Sequence, residues 1–270
     1  MTRRTVGEQL RAWREVRHLS QLDLALAAGS SARHLSYLET GKARPSPEMI
    51  HRLAEALDVP LRDRNVLLLA AGFAPRYPET SFAAMEPGPV RQAIERILDH
   101  QNPYPAFLLN RRWDILMANE SAARVSRLVM GGRPQRHDNM IRQFLDPEDL
   151  RGAVDNWTEV ADDLIRHLRA EAAWTPDDTG LAALVTEALG YPGVPSSWLS
   201  WSDREPTTPV LTVHFRSPRG PLRFFSTLTI FGTPRDIGLD ELRIESVFPA
   251  DDATAAACRT LATNTGESSR

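Results

Sequence analysis

One stretch, Ser20–Pro45 (SQLDLALAAGSSARHLSYLETGKARP), limits what this chain can fold into more than any other. It predicts a helix, a tight turn and a second helix. Ser20 is placed to cap the first helix, and Asp23, three residues on, completes a reciprocal capping box. Leu22, Ala25 and Leu26 are expected to form its apolar stripe. Gly29 tolerates the positive φ that ends a helix. Ser31 then caps a second helix that runs to Thr40 and stops at Gly41. At about 100° per residue, Leu35 and Leu38 turn toward a core while Arg33, Ser36 and Tyr37 face away, with Ala32 on the flank.

A guanidinium, a hydroxyl, a phenol and a methyl on one exposed face suit base edges and phosphates. The same face also fits an ordinary solvated helix, and a protein-interaction module without DNA is a further alternative. Leu19-Ser20-Gln21, Gly29, Ser31, Leu35-Ser36, Leu38-Glu39 and Gly41, followed by Arg44-Pro45-Ser46, resemble the Xre/lambda-repressor-type helix-turn-helix family over residues 3–72. Ser30 departs from the small aliphatic residue usual there. The resemblance implies five helices and a set of DNA contacts. Gln21 would touch phosphate and brace the recognition helix, and Arg33, Ser36 and Tyr37 would read the major groove. Ala32 would lie beside a thymine methyl, with Ser31 at the same helix start, and Lys42 and Arg44 would grip the backbone. It also implies an ion pair between Arg14 and Glu39.

The chain's 270 residues suffice for two cores. Residues 1–75 carry a net charge of +3 and the remainder −6, so the positive share sits with the helix-turn-helix. Only one of the 32 basic residues is a lysine, a bias typical of GC-rich bacterial genomes. A single cysteine, Cys258, forbids an internal disulfide and fits a reducing cytosol; it is expected to be packed and inert. No run approaches the roughly 18 apolar residues of a membrane helix, and MTRRTVGEQL is no signal peptide. A cytoplasmic protein is expected.

The chain reads as a DNA-binding domain over 1–72, a linker and connecting helix over 73–103, a second domain over 104–262 and a disordered tail over 263–270. Helix 1 is expected over Thr5–Arg17, a helix starting at Ser46-Pro47-Glu48 carries Ile50, Leu53 and Leu57, and a fifth covers Arg62–Ala71. Gly72–Pro89 has the proline content of a linker. The connecting helix, Val90–His100, places Val90, Ile94 and Ile97 on one side. Strands follow at Ala106–Leu109 and Trp113–Ala118, then a helix capped by Asn119. Leu150, Val154, Trp157, Ala161, Leu164 and Leu168 predict one long helix opened by Asp146-Pro147-Glu148. Another helix covers Thr179–Leu189. Tyr191–Pro209 reads as a loop, and strands at Val210–Arg216, Leu222–Phe231 and Leu242–Phe248 precede a helix over Ala253–Ala262.

That order predicts an α+β protein: an all-α five-helix helix-turn-helix domain, then a PAS-like domain with an antiparallel sheet covered by helices. LLNRRWDILMANESA, FLDPEDL, WTEVADDLIRHLR and LRFFSTLTIFGTPRDIGLDELRIESVFPAD resemble the ligand-binding domain of MmyB-like Xre regulators over residues 104–262. WLSWSDREP departs from the family's tryptophan, histidine and valine pattern. The resemblance implies a small-molecule effector in an apolar cavity, a fatty-acyl ligand being one precedent. Phe107, Leu109, Trp113, Ile115, Met117, Trp157, Phe224 and Leu228 are candidate apolar lining, with Arg169 and His214 as polar contacts. A filled core, a structural histidine and a helix-capping Arg169 remain alternatives, as does a second domain that only dimerises or binds a protein.

The motifs of hydrolases, dinucleotide enzymes and phosphate-binding loops are missing, and scattered histidines do not make a cupin metal site. The expected protein is a bacterial transcription regulator and not an enzyme, without cofactor or metal. It should bind a pseudo-palindromic double-stranded DNA operator as a homodimer, since one recognition helix reads too few base pairs for a genome.

Overall fold

The computed structural model describes residues 4–85, 88–175, 178–195, 198 and 210–263. Five short helices come first: α1 (Val6–Val16), α2 (Gln21–Ala27), α3 (Ala32–Glu39), α4 (Pro47–Ala56) and α5 (Leu61–Ala70). Their starts follow local chemistry. Capping boxes Thr5/Glu8 and Ser20/Asp23 open α1 and α2, and the Ser31 and Ser46 hydroxyl oxygens accept from the backbone N–H groups of His34 and Met49. Leu10, Trp13, Leu24, Leu35, Leu38, Ile50, Leu53, Leu57 and Leu67 make the core. The expected α2 stripe is corrected: Leu24 and Ala25 are buried, whereas Leu22 and Leu26 are 57% and 69% exposed. Seven residues are too few for spacing alone to orient a helix. Leu69 of α5 is likewise exposed.

A second compact unit contains α6 (Pro89–His100), β1 (Ala106–Leu109), β2 (Ile115–Ala118), α7 (Glu120–Val129) and α8 (Met140–Leu145), the last unforeseen. It continues with α9 (Trp157–Trp174), α10 (Thr179–Gly190), β3 (Val213–Phe215), β4 (Leu222–Ile230), β5 (Arg243–Pro249), which follows α11 (Ile237–Asp240), and α12 (Asp252–Thr263). The sheet is antiparallel throughout, in the order β2-β1-β5-β4-β3. Glu245 pairs with Phe107 on one side and Leu228 on the other, and paired residues share a face. The opposite face holds Leu108 against Ile244, and the Phe225–Phe248 stack with centroids 5.5 Å apart. On α6, Ile94 and Leu98 are buried while Val90 and Ile97 are exposed, which rotates the expected stripe by part of a turn.

The predicted long helix from Asp146 is broken. A 3-10 turn, Leu150–Ala153, leads into extended Val154, which bridges Phe215. Asp155 N–H donates to the His214 carbonyl at 2.8 Å, Arg216 N–H to Ala153 at 2.8 Å, and the Asn156 amide bonds both Thr212 and His214. Edge strand β3 thus captures residues that a helical pattern had claimed, because its unpaired backbone groups need partners.

The first unit includes more than the five helices: residues to Ser81, Ala170–Thr179 and Thr233–Asp240 belong to it. The proline-rich stretch after α5 is therefore no plain linker. Asn65 donates to the Tyr77 carbonyl at 2.7 Å and accepts from Arg76 and Tyr77 N–H groups, and Thr80 donates to Asp236 at 2.7 Å. The Leu61 N–H, at the start of α5, donates to Asp240 of α11 at 3.1 Å. Phe82–Met85 adds a 3-10 turn in the second unit. The tail 264–270, Trp201 and the WSDREP segment lie outside the described residues.

Candidate functional site

The helix-turn-helix presents its polar residues as a set. Gly29 and Gly41, at φ +62° and +72°, end α2 and turn the chain after α3, conformations an L side chain rarely adopts. Ser31, Arg33, Tyr37, Lys42 and Arg44 are exposed, and Gln21, Ala32 and Ser36 partly so. Tyr37 organises two of the cations. Its hydroxyl accepts from Arg33 Nε and Nη2 at 3.2 and 3.1 Å, and its ring lies 5.9 Å from Lys42 Nζ.

Behind that face, Arg14 of α1 grips Glu39 of α3 through two parallel bonds, Nε to Oε1 at 2.6 Å and Nη2 to Oε2 at 2.9 Å. Gln21 Nε2 donates to the same Oε2 at 2.8 Å, and Arg14 Nη1 to the Leu19 carbonyl. The Glu39 side chain is 2% exposed, and its hydrogen bonds raise the Arg14 pKa against the opposing effect of burial. Three helices are thus tied at one carboxylate. Gly7 allows the approach: a Cβ there would lie 2.4 Å from the Leu38 carbonyl oxygen. That glycine went unnoticed in the sequence.

The second unit contains a cavity of about 880 Å³ between the Phe107/Glu245/Leu228 face of the sheet and helices α7, α8 and α9. Phe107, Val125, Val129, Phe144, Leu164 and Val247 are among its apolar walls. Phe215 sits edge-on to Phe224, with centroids 6.3 Å apart. Trp113 enters from the β1–β2 turn with a left-handed backbone, φ +64°, that a bulky residue adopts only under constraint. Asn110 supplies it: its Oδ1 accepts from Arg112 and Asp114 N–H groups at 2.8 and 2.9 Å, while Asn139 and Met140 hold the other side. Asn119 ties the same region together, with Oδ1 accepting from Ala106 and Ala122 and Nδ2 donating to Leu98 and Tyr104. The asparagines and tryptophan of LLNRRWDILMANESA are therefore turn and cap residues that aim one indole.

Among the ligand candidates, Phe107, Trp113, Phe224 and Leu228 line the cavity. Leu109, Ile115, Met117, Trp157, Arg169 and His214 do not. A bulge at Leu108/Leu109 separates Ile115 from Met117, which pairs with Leu108 on the far face. His214 pairs with Arg223 on that far face too, and its ring contacts the Thr212 hydroxyl at 3.0 Å. Trp157 donates from Nε1 to the Phe144 carbonyl at 2.7 Å beneath the Arg151 guanidinium. Arg169 donates to the Trp198 carbonyl. Sequence reading missed Glu245, Ser226, Phe215 and the α9 polar row Glu159, Asp162, Asp163, Arg166 and His167, all of which line the cavity. Strand alternation from Phe224 would have reached Ser226, whereas Glu245 and Phe215 lie on other strands and depended on the pairing register.

A helix-turn-helix family model matches residues 10–63, and the model described as the MmyB-like transcription regulator ligand binding domain matches residues 90–261. The chain is 37% identical to the HTH-type transcriptional repressor RghR of Bacillus subtilis over 112 residues, 41% of this chain and 78% of RghR. It is 39% identical over 71 residues to the uncharacterized HTH-type transcriptional regulator Rv0023 of Mycobacterium tuberculosis, 26% of this chain. A protein of the same description from Mycobacterium bovis, Mb0023, matches equally, and the match spans 28% of each mycobacterial protein. No described helix is long and apolar enough to cross a membrane. By these matches the chain belongs to the MmyB-like transcription regulators, with a helix-turn-helix DNA-binding domain preceding a ligand-binding domain in sequence.

Proposed function

We propose that this regulator binds a pseudo-palindromic double-stranded DNA operator as a homodimer, and that a small, mostly apolar effector in its second domain adjusts that binding. The observation that carries the effector is the cavity of about 880 Å³, in the size range of small-molecule sites and walled by aromatic and aliphatic side chains. Exposed Arg33 and Tyr37 and the half-buried Ser36, with Lys42 and Arg44 beside them, support base and phosphate contacts. Dimerisation is supported by the few base pairs one recognition helix can read. An effector changes DNA affinity only by favouring one of two arrangements of the dimer. The name of RghR makes repression the direction to test first. No catalytic step, metal or cofactor enters this reading.

Mass spectrometry of small molecules released from the purified protein tests it, followed by DNA binding with and without the recovered compound. A bound apolar compound that shifts DNA affinity is the expected result. A protein that carries none, and whose melting temperature no apolar compound raises, would return the second domain to a role in dimerisation or partner binding.

A further inference from the structure

Glu245 is the anomaly in the cavity. It sits in the middle of β5, registered between Phe107 and Leu228, with Val247 and Ser226 beside it on the same face of the sheet. Its Oε2 is shut off from solvent and has no hydrogen-bond partner among the described residues. Burial raises its pKa, and Ser226 alone opposes that by favouring the charged form. A carboxylate taken out of water with a single hydroxyl for a partner is costly, and such groups persist where something else satisfies the remaining oxygen.

The charge balance around the cavity says what that something is. Among the described residues its lining holds four carboxyls, those of Glu159, Asp162, Asp163 and Glu245, against one guanidinium and one imidazole. Both bases are already engaged: Arg166 with Asp163 at 3.0 Å and Asp162 at 3.6 Å, His167 with Asp163 at 3.1 Å. An incoming carboxylate would therefore meet excess negative charge, whereas a cation would supply the missing countercharge.

We propose that the effector is a cationic amphiphile, a long apolar body bearing a protonated amine that pairs with Glu245. This deepens the reading of the cavity as a ligand site and rests on it. The apolar body displaces water from the aromatic walls, and the ammonium offers three donors to a carboxylate held in a low-dielectric setting. The fatty-acyl precedent from the family resemblance is thereby replaced by a ligand of opposite charge.

Three chain-matched probes test this on the full-length protein: decylamine, decanoate and decanol, each kept below its micelle concentration and titrated by calorimetry at neutral pH. Decylamine should bind at least about tenfold more tightly than either of the others. In Glu245→Gln, an isosteric change, that advantage should shrink to about threefold or less while decanol binding stays the same. Decanoate binding as tightly as decylamine, or an amine preference that survives in Glu245→Gln, would overturn the proposal and leave the cavity intact as an apolar site. Failure of all three probes to bind would overturn the cavity reading as well. The ranking on the native protein stands even where the variant fails to fold.

Discussion

Arg14 and Glu39 lie 25 positions apart and meet in two hydrogen bonds behind the recognition helix. An exposed pair would contribute about 1 kcal/mol or less. This one is buried, with Gln21 as a third partner, so its rupture leaves an uncompensated carboxylate. Glu39→Ala and Arg14→Ala should each lower stability by about 3–5 kcal/mol, and a double-mutant cycle in denaturant should show strong coupling. Additive losses would rule the brace out. On the outer face, Arg33→Ala should cost about 1–3 kcal/mol at the cognate site and relax specificity there. Lys42→Ala should weaken cognate and random DNA alike and flatten the salt dependence. Equal loss on both DNAs for Arg33→Ala would assign it to phosphate instead.

Glu245 gives a pH signature at the same scale. Its carboxyl titrates above its usual range in the folded protein, because burial outweighs the Ser226 hydrogen bond; Asp163, Arg166 and His167 of α9 line the same cavity. The proton-bound form is favoured by folding. The stability it contributes is full below the ordinary carboxylate range and is lost as pH rises through the raised value. The stability of the native protein relative to Glu245→Gln should therefore fall with rising pH in thermal melts without ligand. A flat difference would show that burial does not govern this group.

Among the elements, those set by near neighbours were legible and those set by distant partners were not. Ser20 with Asp23, Ser31, Pro47 and Asn119 act within four residues, and each starts its helix where expected. The sheet faces beyond β1 depended on a bulge, and the break before α9 on capture by β3, 60 residues away; neither leaves a local trace. That is why the cavity's aromatic strands were foreseeable but Glu245 and the α9 polar row were not. The α1–α3 contact is of the same kind, visible only once Gly7 is seen against the Leu38 and Glu39 carbonyls. Gly7→Ala should cost about 1–3 kcal/mol by overpacking and tilt the recognition helix. Unchanged denaturation and unchanged DNA affinity would show that the helices can part without penalty.

For the whole molecule, an effector bound only by the folded state should raise the melting temperature with saturation. At a hundredfold excess over Kd the gain is about 2.7 kcal/mol. Along a chain-length series each buried methylene should add about 0.8 kcal/mol until the cavity is full. Affinity that ignores chain length would place the ligand elsewhere.

The first unit is discontinuous in sequence, and this has a consequence for its birth on the ribosome. Its helix bundle is synthesised first, but Trp174, whose ring stacks 3.8 Å from the Arg17 guanidinium, and Asp240, which caps the start of α5, arrive much later. At about 5–20 residues per second, the interval between Ser81 and Asp240 is roughly ten to thirty seconds. During it the nascent chain exposes its helix-turn-helix before the second domain's sheet is complete, and one later stretch supplies both Asp240 to the bundle and β5, the strand that carries Glu245.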